Sequence, residues 1–389
     1  MKEGWSYKKL GEVCDFEGGS QPPKSEWINH PQDGYVRMLQ IRDFTRSRNA
    51  EIEYVKISKK IRLCKADDIL IGRYGASVGK ILTGLAGAYN VAIIKSIPNE
   101  ELISKAFIKR YFEARSFQSV LFKVCASRAA QAGFSKDDIC DTPIPVPPLS
   151  EQHSIVSRLD TAFSHIDALK ANAEKQLNEA RKLFQAELTE CMKPKEGWEE
   201  KKLGEVATIQ NGFAFKSNLF KKEGEPIIRI SNIQNECIET KDIVYFCKED
   251  YFVNFDNYRI FPNDILIAMS GGTTGKLGIN RTNSIFYQNQ RIGVIRENKK
   301  VLNHFYLYYF LQTKSEESLK IAAGAAQPNL STAQIKNFII PIIPLSVQKA
   351  IVSHLDSLSS TIRKLEELQQ KTIAECDALK QAMLKEVFE

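Results

Sequence analysis

The chain has 389 residues, of which 43% are hydrophobic and 26% charged, and a formal net charge of +7. These values are typical of a folded protein and exclude an intrinsically disordered one. Apolar runs stay well short of the ~18 residues of a membrane span, and the start MKEGWSYKKLGE has no apolar secretion signal. We therefore expect a cytoplasmic protein that contacts no membrane. The eight cysteines form no CxxC pattern, so free thiols are expected, with no metal site.

The chain begins with a motif that returns in its middle. EGWSYKKLGEV occupies residues 3–13, and EGWEEKKLGEV occupies residues 196–206. A second related pair closes each half, with AAQAGFSKDDICDTPIPVPPLSEQ at 129–152 and AAQPNLSTAQIKNFIIPIIPLSVQ at 325–348. Because this period far exceeds that of a solenoid repeat, the repeating unit is a whole domain plus a connecting element.

Each half contains a mixed segment, at residues 1–148 and 194–344. Glycine-punctuated β-branched runs predict short strands and turns, and aromatic-rich stretches predict helices at 104–123 and 303–320. The strand runs lie at 33–44, 67–82, 225–233 and 263–276. Both segments are therefore predicted to be α+β domains. They also carry the excess of Lys and Arg, which favours a polyanionic partner.

Residues 149–193 and 345–389 are predicted to form two long helices. Apolar residues recur every four and three positions, as in a coiled coil, and Ser150 and Ser346 are predicted N-caps. The predicted interface residues are Ile155, Leu159, Ala162, Ile166, Leu169, Ala173, Gln176, Ala180 and Leu183, then Ile351, Leu355, Leu358, Ile362, Leu365, Gln369, Thr372, Cys376, Leu379 and Met383.

Each long helix could instead lie along its own domain. Two matching helices in one chain favour an antiparallel intramolecular coiled coil, which would relate the domains by a pseudo-two-fold axis.

Over its whole length the chain resembles the specificity subunits of type I restriction–modification systems. The motifs that carry the resemblance are GWxxxKLGEV at 4–13 and 197–206, and PxPPLxEQ at 145–152, which recurs as PIIPLSVQ with Val347 in place of the acidic residue. The resemblance implies two target-recognition domains, at 1–148 and 194–344. Each would read one half of a bipartite, asymmetric DNA target, while spacer helices at 149–193 and 345–389 fix the unread gap and dock the modification subunits.

The resemblance also implies partners. These are double-stranded DNA, two modification (methyltransferase) subunits and, in a restricting complex, two restriction/translocase subunits. S-adenosylmethionine, ATP and Mg²⁺ would bind to the partner subunits, with no cofactor on this chain.

No catalytic motif accompanies these features. GASVGK at 75–80 and GGTTGK at 271–276 have three residues between their glycines, and no Ser or Thr follows the lysine, so neither is a phosphate-binding P-loop. Asp68 and Asp264 are expected to stabilise turns. We therefore expect a chain that is non-catalytic alone, within a holoenzyme with adenine methyltransferase and ATP-dependent endonuclease activities. The alternatives are a divergent, self-sufficient DNA methyltransferase and a scaffold with duplicated protein-binding domains.

Candidate DNA contacts are polar side chains in the predicted turns, because base edges and phosphates are bound by Arg, Lys, Asn, Gln and hydroxyl groups. In the first domain they are Arg37, Gln40, Arg42, Arg73, Tyr74, Ser77, Lys80, Arg128 and Gln131. In the second they are Arg229, Asn232, Gln234, Ser270, Thr273, Thr274, Lys276, Asn289, Gln290, Arg291, Gln327 and Asn329.

Comparison of the two copies divides these candidates into residues that match and residues that differ. We align Arg37 with Arg229, Lys80 with Lys276 and Gln131 with Gln327, and expect such matched residues to contact the DNA backbone or support the fold. Positions that differ are expected to specify bases. For every candidate the alternative is an exposed polar side chain that contacts no DNA.

Overall fold

The computed structural model describes residues 4–45, 51–128, 133–234, 236–323 and 329–389. The chain forms two compact units. Unit 1 comprises Met1–Glu174 with Gln369–Glu389, and unit 2 comprises Lys175–Leu368. Each unit therefore contains one mixed domain and a part of both long helices. Within the described ranges, no helix has an apolar stretch long enough to cross a bilayer.

Unit 1 contains ten strands and the first six helices of the described chain. The strands are β1 (Ser6–Lys9), β2 (Cys14–Gly18), β3 (Tyr35–Leu39), β4 (Tyr54–Lys56), β5 (Leu63–Cys64), β6 (Ile69–Gly72), β7 (Ile81–Leu82), β8 (Gly87–Tyr89), β9 (Ile93–Pro98) and β10 (Pro143–Val146). The helices are α1 (Leu10–Val13), α2 (Ile41–Thr45), α3 (Lys105–Glu113), α4 (Arg115–Ala126), α5 (Asp137–Cys140) and the start of α6 (Leu149–Met192).

Three sheets organise unit 1, in the orders β2-β9-β6-β7, β4-β3-β8-β5 and β1-β10. Strand β6 is buried along its whole length, as expected for an apolar run packed on both faces. The β3–β8 pair is parallel and the neighbouring pairs are antiparallel.

Unit 2 repeats this plan. Its strands are β11 (Glu199–Lys202), β12 (Ala207–Asn211), β13 (Glu225–Ile228), β14 (Ile233–Gln234), β15 (Glu236–Ile238), β16 (Val244–Phe246), β17 (Arg259–Ile260), β18 (Ile265–Ala268), β19 (Leu277–Ile279), β20 (Phe286–Gln288), β21 (Ile292–Glu297) and β22 (Ile339–Ile342). Its helices are α7 (Leu203–Val206), α8 (His304–Thr313), α9 (Ser315–Ala323), α10 (Thr332–Lys336) and the start of α11 (Leu345–Phe388). The sheets have the orders β12-β21-β18-β19-β15-β14, β16-β13-β20-β17 and β11-β22.

The helices predicted at 104–123 and 303–320 are each two shorter helices, α3 with α4 and α8 with α9. The break after α3 lies at Ala114, whose ψ of 146° is extended. The Gln118 side-chain amide spans the break and donates to the Phe112 carbonyl (2.7 Å) and to the distant Gly79 carbonyl (2.8 Å). In unit 2, the Ser315 hydroxyl likewise donates to the Gly275 carbonyl at the α8–α9 break (3.2 Å). Side chains at the two breaks thus hold the turns at 75–80 and 271–276, which we call the first and second glycine turns.

The long helices begin at the predicted residues 149 and 345, but the predicted N-caps are wrong. Helix α6 begins at Leu149 and α11 at Leu345, so Ser150 and Ser346 lie inside the first turn and are not N-caps. The carbonyls of Pro148 and Pro344 accept the first helical amides instead. Proline fits immediately before a helix because it has no N–H to satisfy.

A buried glutamine fixes each helix start to its domain. Gln152 has no exposed surface, and its Nε2 donates to the carbonyls of Leu102 (2.9 Å) and Pro147 (2.8 Å) while its Oε1 accepts from the Ser104 amide (2.8 Å).

Gln348 repeats the arrangement with Val301 (2.8 Å), Ile343 (2.8 Å) and the Asn303 amide (2.7 Å). Ser104 and Asn303 are the N-caps of α3 and α8. The glutamine shared by the two closing motifs therefore has a structural role.

The predicted antiparallel pairing of the long helices is present inside each unit. In unit 1, Lys170 Nζ lies 2.9 Å from Asp377 and Lys380 Nζ lies 2.5 Å from Asp167, so one helix ascends as the other descends. The end of α11 then enters the domain core, where the Phe388 ring lies 5.1 Å from that of Phe107.

The same pairing recurs in unit 2, between the end of α6 and the start of α11. Arg181 Nε lies 2.7 Å from Glu366 Oε1, and His354 Nε2 lies 2.9 Å from Glu187 Oε1. Leu355 is completely buried. These contacts favour a helix pair over single helices lying on separate domains.

The interface on α6 departs from the predicted register at every second position. Leu159, Ile166 and Ala173 are buried, and Ala180 is half-buried, as predicted. Phe163 is buried whereas Ala162 is only half-buried, and Leu169, Gln176 and Leu183 are exposed while their neighbours Lys170, Leu177 and Phe184 are partly covered. Ile155 is buried beside Val156.

The surroundings of Phe163 explain why this residue, and not Ala162, faces the interface. Its ring is flanked by two cations, with the Arg110 guanidinium 4.7 Å and the Lys380 ammonium 5.1 Å from the ring centroid. An aromatic side chain gains more from this site than Ala162 would.

On α11, the predicted interface holds except near the end. Leu355, Gln369 and Cys376 are buried, and the other predicted positions except Leu379 are half-buried: Ile351, Leu358, Ile362, Leu365, Thr372 and Met383. Leu379 is 52% exposed, whereas Leu384 and Phe388 beyond it are buried.

Candidate nucleic-acid interface

The first glycine turn follows β6 and carries Ser77 and Lys80. The Gly72 amide donates to the Lys80 carbonyl (2.9 Å), and the Gly79 amide donates to the Gly72 carbonyl (3.0 Å). Gly79 has a φ of 77°, and a Cβ there would lie 2.2 Å from Gln118 Oε1, so the site requires glycine. Lys80 is exposed and Ser77 is half-buried. Lys80 is therefore the side chain of this turn best placed to reach a phosphate.

Arg73 and Tyr74 lead into this turn. Arg73 Nε donates to the Phe134 carbonyl (3.1 Å), and its guanidinium lies 5.2 Å from the centroid of the Tyr74 ring. Arg73 thus supports the fold, while Tyr74 remains 38% exposed.

The second glycine turn has the same backbone bonds. Ala268 donates to Lys276 (2.9 Å) and Gly275 donates to Ala268 (2.8 Å), which confirms the match of Lys80 with Lys276. Thr274 is buried and its hydroxyl donates to the Gly271 carbonyl (2.7 Å), so it supports the turn. Lys276 Nζ lies 2.5 Å from Gln234 Oε1.

The hydroxyls of Ser270 and Thr273 differ from that of Thr274. Both are buried and have no hydrogen-bond partner among the described residues. Such groups normally find a partner in a protein or in water.

The turn after β3 in unit 1 is held by Asp43. The buried Asp43 carboxylate pairs with Arg37 Nη2 (2.7 Å) and accepts the Gln40 amide N–H (2.7 Å). Arg37 is thereby a structural residue. Gln40 Nε2 and Arg42 Nη2 both donate to Glu53, at 2.9 Å and 2.7 Å.

The corresponding turn in unit 2 corrects our alignment of the copies. The Asn232 side chain accepts the Arg229 amide (3.0 Å) and donates to the Glu239 carbonyl (3.1 Å). Asn232 therefore takes the place of Asp43, and Arg229 that of Gln40. The predicted match of Arg229 with Arg37 is wrong by three residues, because the two similar dipeptides, VR and IR, are not equivalent: Arg37 lies inside β3 and Arg229 follows β13.

The turn at 288–291 divides into supporting and exposed residues. Gln288 is completely buried, and its Nε2 donates to the carbonyls of Gln210 and Ile292 (both 2.7 Å). Asn289 accepts the Arg291 amide (3.3 Å). Gln290 and Arg291 are exposed and are the members of this turn free to meet a ligand.

Arg128, which follows α4, is held by two contacts in unit 1. Its guanidinium donates to Asp138 (2.6 Å) and to the Gly133 carbonyl (2.8 Å). Burial acts to raise the pKa of Asp138, but hydrogen bonds from Ser135 and the Arg128 charge outweigh it and lower that pKa. The pair therefore stays ionised and Arg128 is held in one direction.

The last candidates lie near the glycine turns. Asn329 is exposed and pairs with Ser270 through a β-bridge. Gln131 and Gln327 lie outside the described residues.

The aspartates before β6 and β18 hold turns, as predicted. Asp68 accepts the Lys65 amide (2.9 Å) and Asp264 accepts the Phe261 amide (2.7 Å). Asp264 also binds Arg296.

Sequence spacing did not reveal one group of possible metal ligands. Glu187, Cys191 and His354 come together in unit 2, with one donor atom of each within 4.8 Å of the others. They lie on two helices that are far apart in the sequence, so no sequence motif predicts the group. His354 Nε2 already contacts Glu187.

A family profile described as the type I restriction modification DNA specificity domain matches residues 2–179 and 195–374. The chain belongs to this family.

Curated relatives extend over nearly the full length. The MjaVIII specificity subunit of Methanocaldococcus jannaschii is 26% identical and covers 93% of this chain and 88% of its own. The EcoKI specificity subunit of Escherichia coli is 21% identical and covers 100% of this chain and 89% of its own.

Solved structures share the fold. A chain of a type I restriction–modification complex has a TM-score of 0.79 at 19% identity and covers 99% of this chain and 97% of its own. The HsdS subunit of Thermoanaerobacter tengcongensis has a TM-score of 0.55 at 20% identity, with 100% and 97% covered.

Proposed function

We propose that this chain is the sequence-specific DNA-recognition subunit of a type I restriction–modification complex. One observation carries the proposal: both units keep the same turns while the side chains on those turns differ. Asp43 and Asn232 cap equivalent backbone amides, whereas Ser231 stands at the position of the neighbouring Arg42. A backbone turn that is the same in both units, with different polar side chains on it, suits two domains that read different bases.

The division of labour follows the predicted segments. Residues 1–148 and 194–344 would each read one half of a bipartite, asymmetric target. Helices α6 and α11 have 44 residues each, or about 65 Å of helix at ~1.5 Å per residue. We propose that they set the unread spacer and dock the modification subunits.

The chemistry would belong to other chains. Two modification subunits would methylate adenine with S-adenosylmethionine, and in a restricting complex two translocase subunits would use ATP and Mg²⁺. This chain would position them on DNA and have no activity alone.

The test is reconstitution with the modification subunits of a type I system from the same organism. Duplexes with randomised sequence are methylated and the modified adenines are mapped. We expect a target of two fixed blocks separated by a fixed gap, with binding that weakens steeply as salt rises. Methyl transfer by the purified chain alone would favour a self-sufficient methyltransferase. Tight protein binding without DNA preference would favour a scaffold.

A further inference from the structure

Glu53, at the entry to β4, is the centre of a polar cluster in unit 1. Its carboxylate binds Lys24 Nζ, Gln40 Nε2 (2.9 Å) and Arg42 Nη2 (2.7 Å). The Glu53 side chain is only 15% exposed, whereas those of Lys24 and Arg42 are 65% and 42% exposed. One sheltered acid therefore holds three donors, of which Lys24 and Arg42 are exposed and Gln40 is half-buried.

The strand registers identify the counterpart of each cluster member in unit 2. Tyr54 pairs with Arg37 and bridges to Ile28, as Tyr245 pairs with Pro226 and bridges to Lys221. The residue before each tyrosine is then equivalent, which places Val244 at the position of Glu53. Lys24 and Ser217 each open the short 3₁₀ turn that precedes the bridge.

The remaining members follow from the shared turn. Because Asp43 and Asn232 cap equivalent amides, Gln40 corresponds to Arg229, and Arg42 to Ser231. All four positions thus change in chemical type between the copies, while the cap beneath them is retained. Unit 2 forms the same capped turn without these four side chains, so the cluster is not needed to form the turn.

The cluster has the chemistry of base readout. A guanidinium can bind O6 and N7 of guanine, and a glutamine amide can bind N6 and N7 of adenine. Among the described residues, the contact with Glu53 uses Nη2 of Arg42, so its Nε and Nη1 stay available. Holding these long side chains in one direction lowers the entropic cost of binding.

We propose that Lys24, Gln40, Arg42 and Glu53 form a base-reading cluster for one half of the target. In it, Glu53 is a positioning residue that directs Gln40 and Arg42 toward purines in the major groove. Unit 2 would read its half with Arg229 at the equivalent point. The inference rests on the proposed function and names the residues that give it specificity in unit 1.

The test compares wild type with Glu53→Gln in the complex with the modification subunits. Methylation is measured on duplexes randomised in one half of the target at a time. Glu53→Gln keeps the shape but removes the negative charge that holds Arg42, so discrimination at one or two base pairs of one half should fall about tenfold. The other half should be unchanged. Because the variant removes a negative charge, binding to non-specific DNA should strengthen slightly, whereas a merely structural loss would weaken it.

Glu113→Gln is the matched control. Glu113 is also a sheltered carboxylate, 2.6 Å from Arg110, but it lies on α3, outside the cluster. It should leave both halves of the target unchanged. Unaltered discrimination in Glu53→Gln, with a selective wild type and normal folding of both variants, would overturn the proposal. A wild-type complex with no preference at all would instead contradict the proposed function.

Discussion

Replacing Gln152 by Leu should destabilise unit 1 while leaving unit 2 intact. The substitution leaves the Leu102 and Pro147 carbonyls and the Ser104 amide without their hydrogen-bond partner. Each buried group left unpaired costs roughly 1–3 kcal/mol, so we expect a loss of about 3–9 kcal/mol for the three groups. That is a large share of the ~5–15 kcal/mol that stabilises a typical domain.

Urea denaturation measures this loss, and hydrogen exchange read peptide by peptide assigns it to one unit or the other. In Gln152→Leu, peptides at the start of α3 should lose protection, while those at the start of α8 should keep it. Gln348→Leu should give the reverse pattern. Gln370→Leu is a control on the exposed surface of α11 and should change the free energy of unfolding by less than about 0.5 kcal/mol. A loss below about 1 kcal/mol in Gln152→Leu would refute the reasoning.

The other predictions concern phosphate contact, the helix interface and alkaline pH. Lys80→Ala and Lys276→Ala should each weaken DNA binding similarly for all sequences and reduce the slope of log K against log salt by about one, as titrations of the complex would show. Phe163→Ala should lower the free energy of unfolding by about 3–5 kcal/mol, whereas Leu169→Ala, at a half-exposed site, should cost under about 1 kcal/mol by urea denaturation; equal losses would contradict the register. Burial raises the pKa of Cys14 to about 12 from its ordinary value near 9. Since only the unfolded thiol ionises between those values, the free energy of unfolding should fall across that window, and Cys14→Ala should reduce the slope by one proton in denaturation at pH 9–11.

The repeat made most of the fold predictable. Two matching motifs and two matching helices in one sequence were enough to indicate duplicated α+β domains with an antiparallel helix pair, because hydrophobic spacing reports which faces are buried. The Gln shared by PLSEQ and PLSVQ was visible as a motif, but its role was not, since its partners at Ser104 and Asn303 lie about 45 residues away.

The register of α6 could not be read from hydrophobicity alone. Ala162 and Phe163 both fit a heptad, and the choice depends on Arg110 and Lys380, which come from other helices. The break at Ala114 was missed for a similar reason, because it depends on contacts between Gln118 and the Gly79 turn.

The candidate site was predictable in its turns and not in its individual residues. Arg37, Asn232 and Thr274 are polar and sit in the expected turns, yet their side chains support the fold. Glu53 was overlooked because an acid is not an obvious DNA contact. Its importance appears only once Gln40 and Arg42 are seen to converge on it.

Mapping methylated adenines in cells that carry this chain and its modification subunits tests the central claim most directly. The account predicts a target of two sequence blocks with a fixed gap. Substitutions at Gln40 or Arg42 should change the sequence of one block only, and substitutions at Arg229 or Arg291 that of the other block only. A single continuous target, or substitutions in either unit that alter both blocks together, would contradict it.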